Sequence, residues 1–466
     1  MKKKIIFAGY PAEYFLMFSK GLELNNYEIY WITALKSDYT FLIKNGVRSD
    51  FICDVSKTAM DIFDTKNTFL EKIERNERPY INDIILMDRN LRHIKWTKSR
   101  MYLNFVAQKT SDFLININPT LITSWRDTAV QMTVLKVAKT FNYSFVIPTR
   151  YRIPNEFYGF CSDFETNSFI KIINVDDSHI QWATNIFRQI ETIKPELKVS
   201  ARTFIDVLRL IPSHSKAFYD LLTKLMYDAG NKYNRYGIEQ IFIKYLKRRL
   251  RLIIYKIFNP GSKQVDINSN YVFFPLHTQP ESSIDVQASL YSNQVEFIKN
   301  ICRVLPHELK LYVKVHPTDV DGQPLSFFRK ISKIPGAILV DYNFPSSDLI
   351  SNASCIITMT GTAGIEAALK GIPVITFSNN FYNEFPTVKQ AKGFEHLQEL
   401  LKTESLNILR SLYSTKEIIQ IIATWKANGF IGEVSRAYGS NPKNLSCNDI
   451  EELVKTYNIL IKSIDG

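Results

Sequence analysis

The chain lacks the features that define several large protein classes. Its five cysteines, Cys53, Cys161, Cys302, Cys355 and Cys447, lie far apart and form no CxxC pair. A zinc site or a disulfide framework is therefore not expected, and a reducing compartment fits best. No stretch approaches the roughly 20 uninterrupted apolar residues that a membrane-spanning helix needs. The opening MKKKIIFAGYPAEYF is basic and then apolar, but Glu13 interrupts it before a leader-like apolar run can form. No short-period repeat and no low-complexity tract occurs. The expectation is a cytoplasmic protein, with peripheral contact at the inner face of the cytoplasmic membrane left open.

What the chain does have is length, an ordinary apolar content and an excess of positive charge. Its 466 residues suffice for two or three domains with proper cores, and 45% of them are hydrophobic. Lysine and arginine number 58 against 46 acids, a formal net charge of +12. Such a balance favours acidic partners: nucleic acid, anionic lipid or phosphorylated substrates.

Hydrophobic periodicity divides the chain into two α/β series. KKIIFAGY, PAEYFLMFSKGLELNNY and EIYWIT read as strand, helix and strand, with Pro11 suited to the first turn of the helix. PTLITSW, RDTAVQMTVLKVAKTFN and YSFVIPT repeat the pattern. From about Asn155 to Asn259 long helical stretches are expected, with few strand signals. Within them, Lys244, Lys247, Arg248 and Arg251 share one helical face, and Phe242, Leu246, Leu250, Ile253 and Ile257 share another. A solvated helix and attachment to an anionic membrane surface through the basic face are equally open readings. NPGSK then ends this helix, and a second α/β series runs from NYVFFPL to GIPVITF. The expected domains are 1–200 (Rossmann-like, acceptor side), 201–262 (helical basic linker), 263–400 (Rossmann-like, nucleotide-binding) and 401–466 (C-terminal helices).

Three motifs fall at carboxyl ends of strands in the second series, an edge whose loops share one crevice in an open α/β sheet. FPLHTQPES carries His277, Gln279 and Glu281; KVHPTD carries Lys314, His316 and Pro317; TMTGTAGIEAALKG carries Gly361, Thr362, Ala363 and Glu366. Small residues at a helix start let a ligand approach unpaired amides and the helix dipole, although a tight packing turn is an equal reading of them. Proline takes His316 out of the sheet edge, where its ring can meet a phosphate, and Lys314 points to the same face. Glu366 reads either as a favourable acid in the first turn of the helix or as a carboxylate accepting hydrogen bonds from ribose hydroxyls, and the ribose reading is preferred. Glu281, Asp127 and His277 are candidates for proton transfer. From the first series, SWRDTA and PTRYRIPNEF bring Arg126, Arg150, Tyr151 and Arg152 toward the crevice, as arginine forks for an acidic substrate or as a solvated cluster.

YVFFPLHTQPE, LYVKVHP, TGTAGIEAALKGIPVITF and NNFYNEFPTV, in this order and spacing, resemble the bacterial capsule polysaccharide biosynthesis family, which includes Kdo transferases. The match is good over roughly Tyr271–Val388. It implies a GT-B glycosyltransferase fold, two Rossmann-like domains facing a central cleft, with the nucleotide-sugar held mainly by the second. It also implies that His316-Pro317 and Gly361-Thr362 hold the nucleotide phosphate and that no metal takes part. In the first domain the chain departs from the family pattern: Thr149 and Arg150 stand near an expected acid, and Glu156 is the nearest downstream carboxylate.

The expected function is transfer of a sugar, Kdo or a related acidic one, to a capsule, lipopolysaccharide or lipid-linked acceptor. The donor is a nucleotide-sugar co-substrate such as a CMP-sugar, and no cofactor is required. Two alternatives stay open: a polyol-phosphate transferase using CDP-glycerol, and a non-catalytic nucleotide-binding partner in capsule assembly. A nucleic-acid role is disfavoured, because the basic residues concentrate on one helix with no reader motif.

Overall fold

A computed structural model describes residues 2–9, 12–56, 68–74, 77–124, 127–153, 157–192, 228, 231, 233–234, 238–431 and 447–464. Pro11, Arg126 and Glu156, named above, lie outside them, as does the side chain of Phe242.

Two sheets form, the second parallel throughout and the first parallel except at one edge. The first has β1 (Lys3–Ala8), β2 (Tyr27–Thr33), β3 (Ile52–Asp54), β4 (Leu121–Ser124), β5 (Phe145–Arg150) and β6 (Phe157–Cys161). The second has β7 (Tyr271–Pro275), β8 (Lys310–Lys314), β9 (Ala337–Val340), β10 (Cys355–Thr358), β11 (Val374–Thr376) and β12 (Val388–Gln390). A last short strand, β13 (Gly429–Ile431), returns to the first sheet. The spatial orders are β13-β6-β5-β4-β1-β2-β3 and β12-β11-β10-β7-β8-β9. Helices cover both faces of parallel strands, so the central strands are apolar throughout. Ile5, Ile6 and Phe7 of β1 and Tyr271 to Phe274 of β7 are accordingly fully buried.

In each sheet the order reverses beside the first strand of its series. β1 lies between β2 and β4, and β7 lies between β8 and β10. Each sheet therefore has one topological switch point, where the loops diverge and leave a crevice. These are two Rossmann-like units.

Two elements depart from the sequence pattern. β6 lies where helices were expected, and β5, β6 and β13 pair antiparallel. The residues at 401–466 do not form helices alone, since β13 extends the first sheet and the helix Cys447–Ile464 packs on the helix Ala12–Leu24. Tyr457 on that C-terminal helix hydrogen-bonds Thr123 at 2.9 Å and packs its ring 5.0 Å from Phe18. Aromatic packing also joins the two halves: Tyr151 stacks on Trp425 with centroids 5.3 Å apart, and Phe381 and Phe385 abut the same indole.

Candidate functional site

The two switch points differ in what occupies their helix starts. In the first sheet, the helix Ala129–Thr140 begins beside β4, and the Ala129 amide donates to the carboxylate of Asp88 at 2.9 Å. Asp88 also accepts from the Asn90 and Leu91 amides, at 2.8 and 2.9 Å. An internal anion thus satisfies this helix start. In the second sheet, the helix Thr362–Leu369 begins after β10 with Gly361 at its N-cap and no side-chain cap. In its first turn the Gly364 amide donates to the Gly361 carbonyl at 3.0 Å, while the amides of Thr362 and Ala363 have no hydrogen-bond partner among the described residues and carry the positive end of the helix dipole. They open on a cleft of about 630 Å³.

Cations converge on the same cleft. Lys314, at the end of β8, is 4% exposed and lines it. Burial lowers its pKa from 10.5 to about 8, opposed by the Asp341 carboxylate. His316 leaves the sheet edge as expected and exposes its ring to the cleft. Desolvation by the cleft wall, then the charges of Lys314 and Arg152, hold its pKa down. Arg152 comes from the first half with φ of +66°, in the left-handed region, and reaches the same space. Pro317, Thr362 and Ala363 complete this wall.

Two carboxylates face the cleft from other sides. Glu366 sits one turn inside the helix on the face of Thr362 and Ala363, and burial raises its pKa. Glu281 occupies the N-cap position of the short helix Ser282–Asp285, yet its side chain makes no capping bond. Its exposed carboxylate is left for the cleft rather than spent on the helix. The geometry can therefore hold an anion at one wall, a hydroxyl-bearing group at Glu366 and a proton acceptor at Glu281.

Several expectations need correction. His277 lines the cleft but is not built for proton transfer. The Met359 amide donates to its Nε2 at 3.2 Å, and Thr358 Oγ1 lies 3.3 Å from the same atom. Burial, then His316 and Arg152, press its pKa down to about 3, so the ring is neutral with its proton on Nδ1. Gln294 clamps the His277 backbone on both sides, at 2.8 and 2.9 Å. His277 is thus a strut that ties the end of β7 to the turn after β10.

Gly361 does not offer its amide to a ligand, because that N–H donates to Thr358 Oγ1 at 3.1 Å. A Cβ at Gly361 would lie 2.8 Å from the same oxygen, and one at Gly364 would lie 2.8 Å from the Tyr382 hydroxyl. The glycines serve packing, and the amides of Thr362 and Ala363 serve the cleft. Gln279 turns away, donating to Asp285 at 3.1 Å and to the Ser292 carbonyl at 2.9 Å. Tyr151 is 1% exposed, a core residue between the halves rather than a substrate contact. Asp127 is engaged by Arg89 at 3.2 Å. Arg150 is half-buried at the end of β5 and is not among the residues lining the cleft.

The basic helix face also turns out differently. In the helix Ile238–Phe258, Arg248 pairs with Asp321 at 2.6 Å and Arg251 donates to the Gly322 carbonyl. Lys244 and Lys247 border a groove between the halves. The outward stripe is apolar: Leu246, Leu250, Ile253 and Ile257 are each at least half exposed. No helix among the described residues is long and apolar enough to cross a membrane.

Sequence reasoning missed two features of the cleft. The loop after β9, with Asn343, Ser346 and Ser347, supplies a wall. Strand order would have found it, since β9 neighbours β8 and its loop leaves by the same edge. Ser283 Oγ is buried at the cleft without a hydrogen-bond partner among the described residues, and only its burial sets it apart from the neighbouring Ser282.

Residues 183–400 match the model of the family described as capsule polysaccharide biosynthesis protein. No curated protein sequence matches the chain. Among solved structures, similarity extends to a Thermosulfurimonas dismutans KpsC beta Kdo 2,4 transferase, at 13% identity over 72% of this chain and 87% of that one, with a TM-score of 0.38. The beta Kdo 2,7 transferase of the same protein gives 12%, 75%, 90% and 0.37. The UDP-GlcNAc 2-epimerase from Methanocaldococcus jannaschii gives 13%, 91%, 98% and 0.26. At these TM-scores none of them decides the chemistry. The matched segment contains the entire second sheet, its uncapped helix start and all but one of the side chains that form the cleft, so the similarity to this family lies in the part of the chain that builds the cleft.

Proposed function

We propose that this protein is a glycosyltransferase that moves a sugar from a nucleotide-sugar donor to a capsule or lipid-linked acceptor. The observation that carries this reading is the contrast between the two switch points. One helix start is neutralised by Asp88, and the other is uncapped beside Lys314, His316 and Arg152. Amides and cations arranged this way suit a donor phosphate and stabilise the charge that develops on a departing nucleotide.

In this reading Thr362, Ala363, Lys314 and His316 hold the phosphate, and Glu366 accepts hydrogen bonds from ribose hydroxyls. Glu281 removes the proton of the acceptor hydroxyl. Arg152 carries the first half's contribution to an acidic donor or acceptor. Side-chain cations and helix amides, not a bound metal, offset the phosphate charge, so turnover should survive EDTA. Contact with an anionic membrane face at the cytoplasmic side, which would bring in lipid-linked acceptors, is assigned to the apolar stripe Leu246–Ile257. Exposed Lys256 flanks that stripe and complements anionic headgroups.

A thermal-shift panel of CMP-, UDP- and GDP-sugars tests the donor site. A ligand at 100 times its Kd stabilises by about 2.7 kcal/mol. The expected result is a shift with one nucleotide class, and nucleotide release that falls about 10²–10⁴-fold in Glu281→Gln with donor affinity retained. CMP release from CDP-glycerol and from no nucleotide sugar would replace this reading with polyol-phosphate transfer.

A further inference from the structure

A second cavity, of about 990 Å³, lies between the halves beside the cleft. Arg92, on the turn Leu91–His93 of the first half, faces Lys244, Lys247 and Arg251 of the helix Ile238–Phe258 across it. Asp285 is the one carboxylate in its lining among the described residues, 3.6 Å from Arg92. Burial and then the guanidiniums of Arg248, Arg89 and Arg92 hold the Lys244 pKa below its ordinary value, a sign of cations crowded together. Arg248, Arg89 and Arg92 each meet one carboxylate, Asp321, Asp127 and Asp285, so the crowding is partly offset within the protein and an anion in the cavity would offset more of it.

The cavity and the cleft share one loop. Thr278 and Glu281 line the cleft, while Gln279 and Pro280, between them in the chain, line the cavity. A chain lying in the cavity would deliver its end to Glu281. Lys244, Lys247 and Arg251 follow one another at single-turn spacing, about 5 Å of helix rise, close to the length of one pyranose unit.

We propose that this cavity is the acceptor site and binds a polyanionic glycan, with carboxylates or phosphates at one-sugar spacing, on Arg92, Lys244, Lys247 and Arg251. The proposal rests on the glycosyltransferase reading for the word acceptor, whereas binding of the anion itself does not. It assigns to the helix Ile238–Phe258 a role unlike membrane attachment through its basic face, since those cations border the groove between the halves.

Isothermal titration of the full chain with hexagalacturonate, with linear hexaphosphate and with neutral maltohexaose tests it. At least one anionic probe should bind and maltohexaose should not, and the anionic probe that binds identifies carboxylate or phosphate as the recognised group. The double variant Lys244→Gln/Lys247→Gln should weaken that binding about tenfold or more, the scale of a lost charge-assisted hydrogen bond. It should also flatten the salt dependence. Lys314→Met, in the cleft, should leave hexagalacturonate or hexaphosphate affinity unchanged while nucleotide affinity falls. Anion binding with that variant pattern, in a protein that binds no nucleotide sugar, would sink the transferase reading and keep this site. Equal binding of maltohexaose, failure of both anionic probes, or full affinity in the double variant would overturn it.

Discussion

Lys314 is the residue at which stability and function should part most clearly. It is 4% exposed, at the end of a central strand, and aimed into the cleft. Burial lowers its pKa from 10.5 to about 8. Because the folded value lies below the unfolded one, the unfolded chain holds the proton more tightly. Stability therefore rises with pH between about 8 and 10.5, and near pH 7 the buried ammonium costs the fold about 3 kcal/mol. Methionine has a similar reach and no charge, so Lys314→Met should stabilise the empty protein by up to about 3 kcal/mol, measured by denaturant unfolding at pH 7. A donor phosphate would lose a charge-assisted hydrogen bond worth about 1.5–3 kcal/mol, so the Kd of the nucleotide found in the thermal-shift panel should rise about tenfold or more. The two changes have opposite signs, as expected where a charge is kept for binding against its effect on the fold. If Lys314→Met destabilised the empty protein and left nucleotide affinity unchanged, the assignment of this lysine to the phosphate would be refuted.

Three further outcomes follow from particular contacts. His277 is neutral in the fold with a pKa of about 3 against 6.5 unfolded, so its share of stability is intact above 6.5 and lost as pH falls toward 3. Between pH 7 and 4.5 it should cost about 3 kcal/mol that is absent in His277→Gln; comparing denaturation of the two proteins separates it from Asp319, whose burial-raised pKa of about 7 acts in the opposite direction. Gly361→Ala places a Cβ 2.8 Å from Thr358 Oγ1, and should destabilise by about 1–3 kcal/mol with a parallel loss of nucleotide affinity; a melting curve unchanged from wild type would count against the packing account of this glycine. Leu250→Glu with Ile253→Glu should release the protein from anionic vesicles in a flotation assay without lowering its melting temperature, because both side chains are more than half exposed. Equal flotation would remove the apolar stripe from the membrane account.

The amino-acid pattern alone was sufficient for the two α/β series and for the edge at which the site lies. Short, β-branched and aromatic apolar runs such as YVFFP and CIIT, bounded by turn residues, read as strands buried on both faces, and His316-Pro317 and GTAG mark where they end. Three quantities were beyond it. The sequence could not say which hydrogen bonds a polar group had already made: Gly361 and His277 look like ligands in the chain, and Thr358 and Met359 claim them in the fold. It could not pair distant segments, so β13 and the helix Cys447–Ile464, which complete the first half, were read as trailing helices. It could not choose the outward face of the helix Ile238–Phe258, because amphipathic periodicity gives two faces and no direction. Local propensity and patterning act over a few residues, and they determined the elements. Burial, charge crowding and the satisfaction of each amide depend on neighbours brought from far along the chain, and only the packed structure decides them.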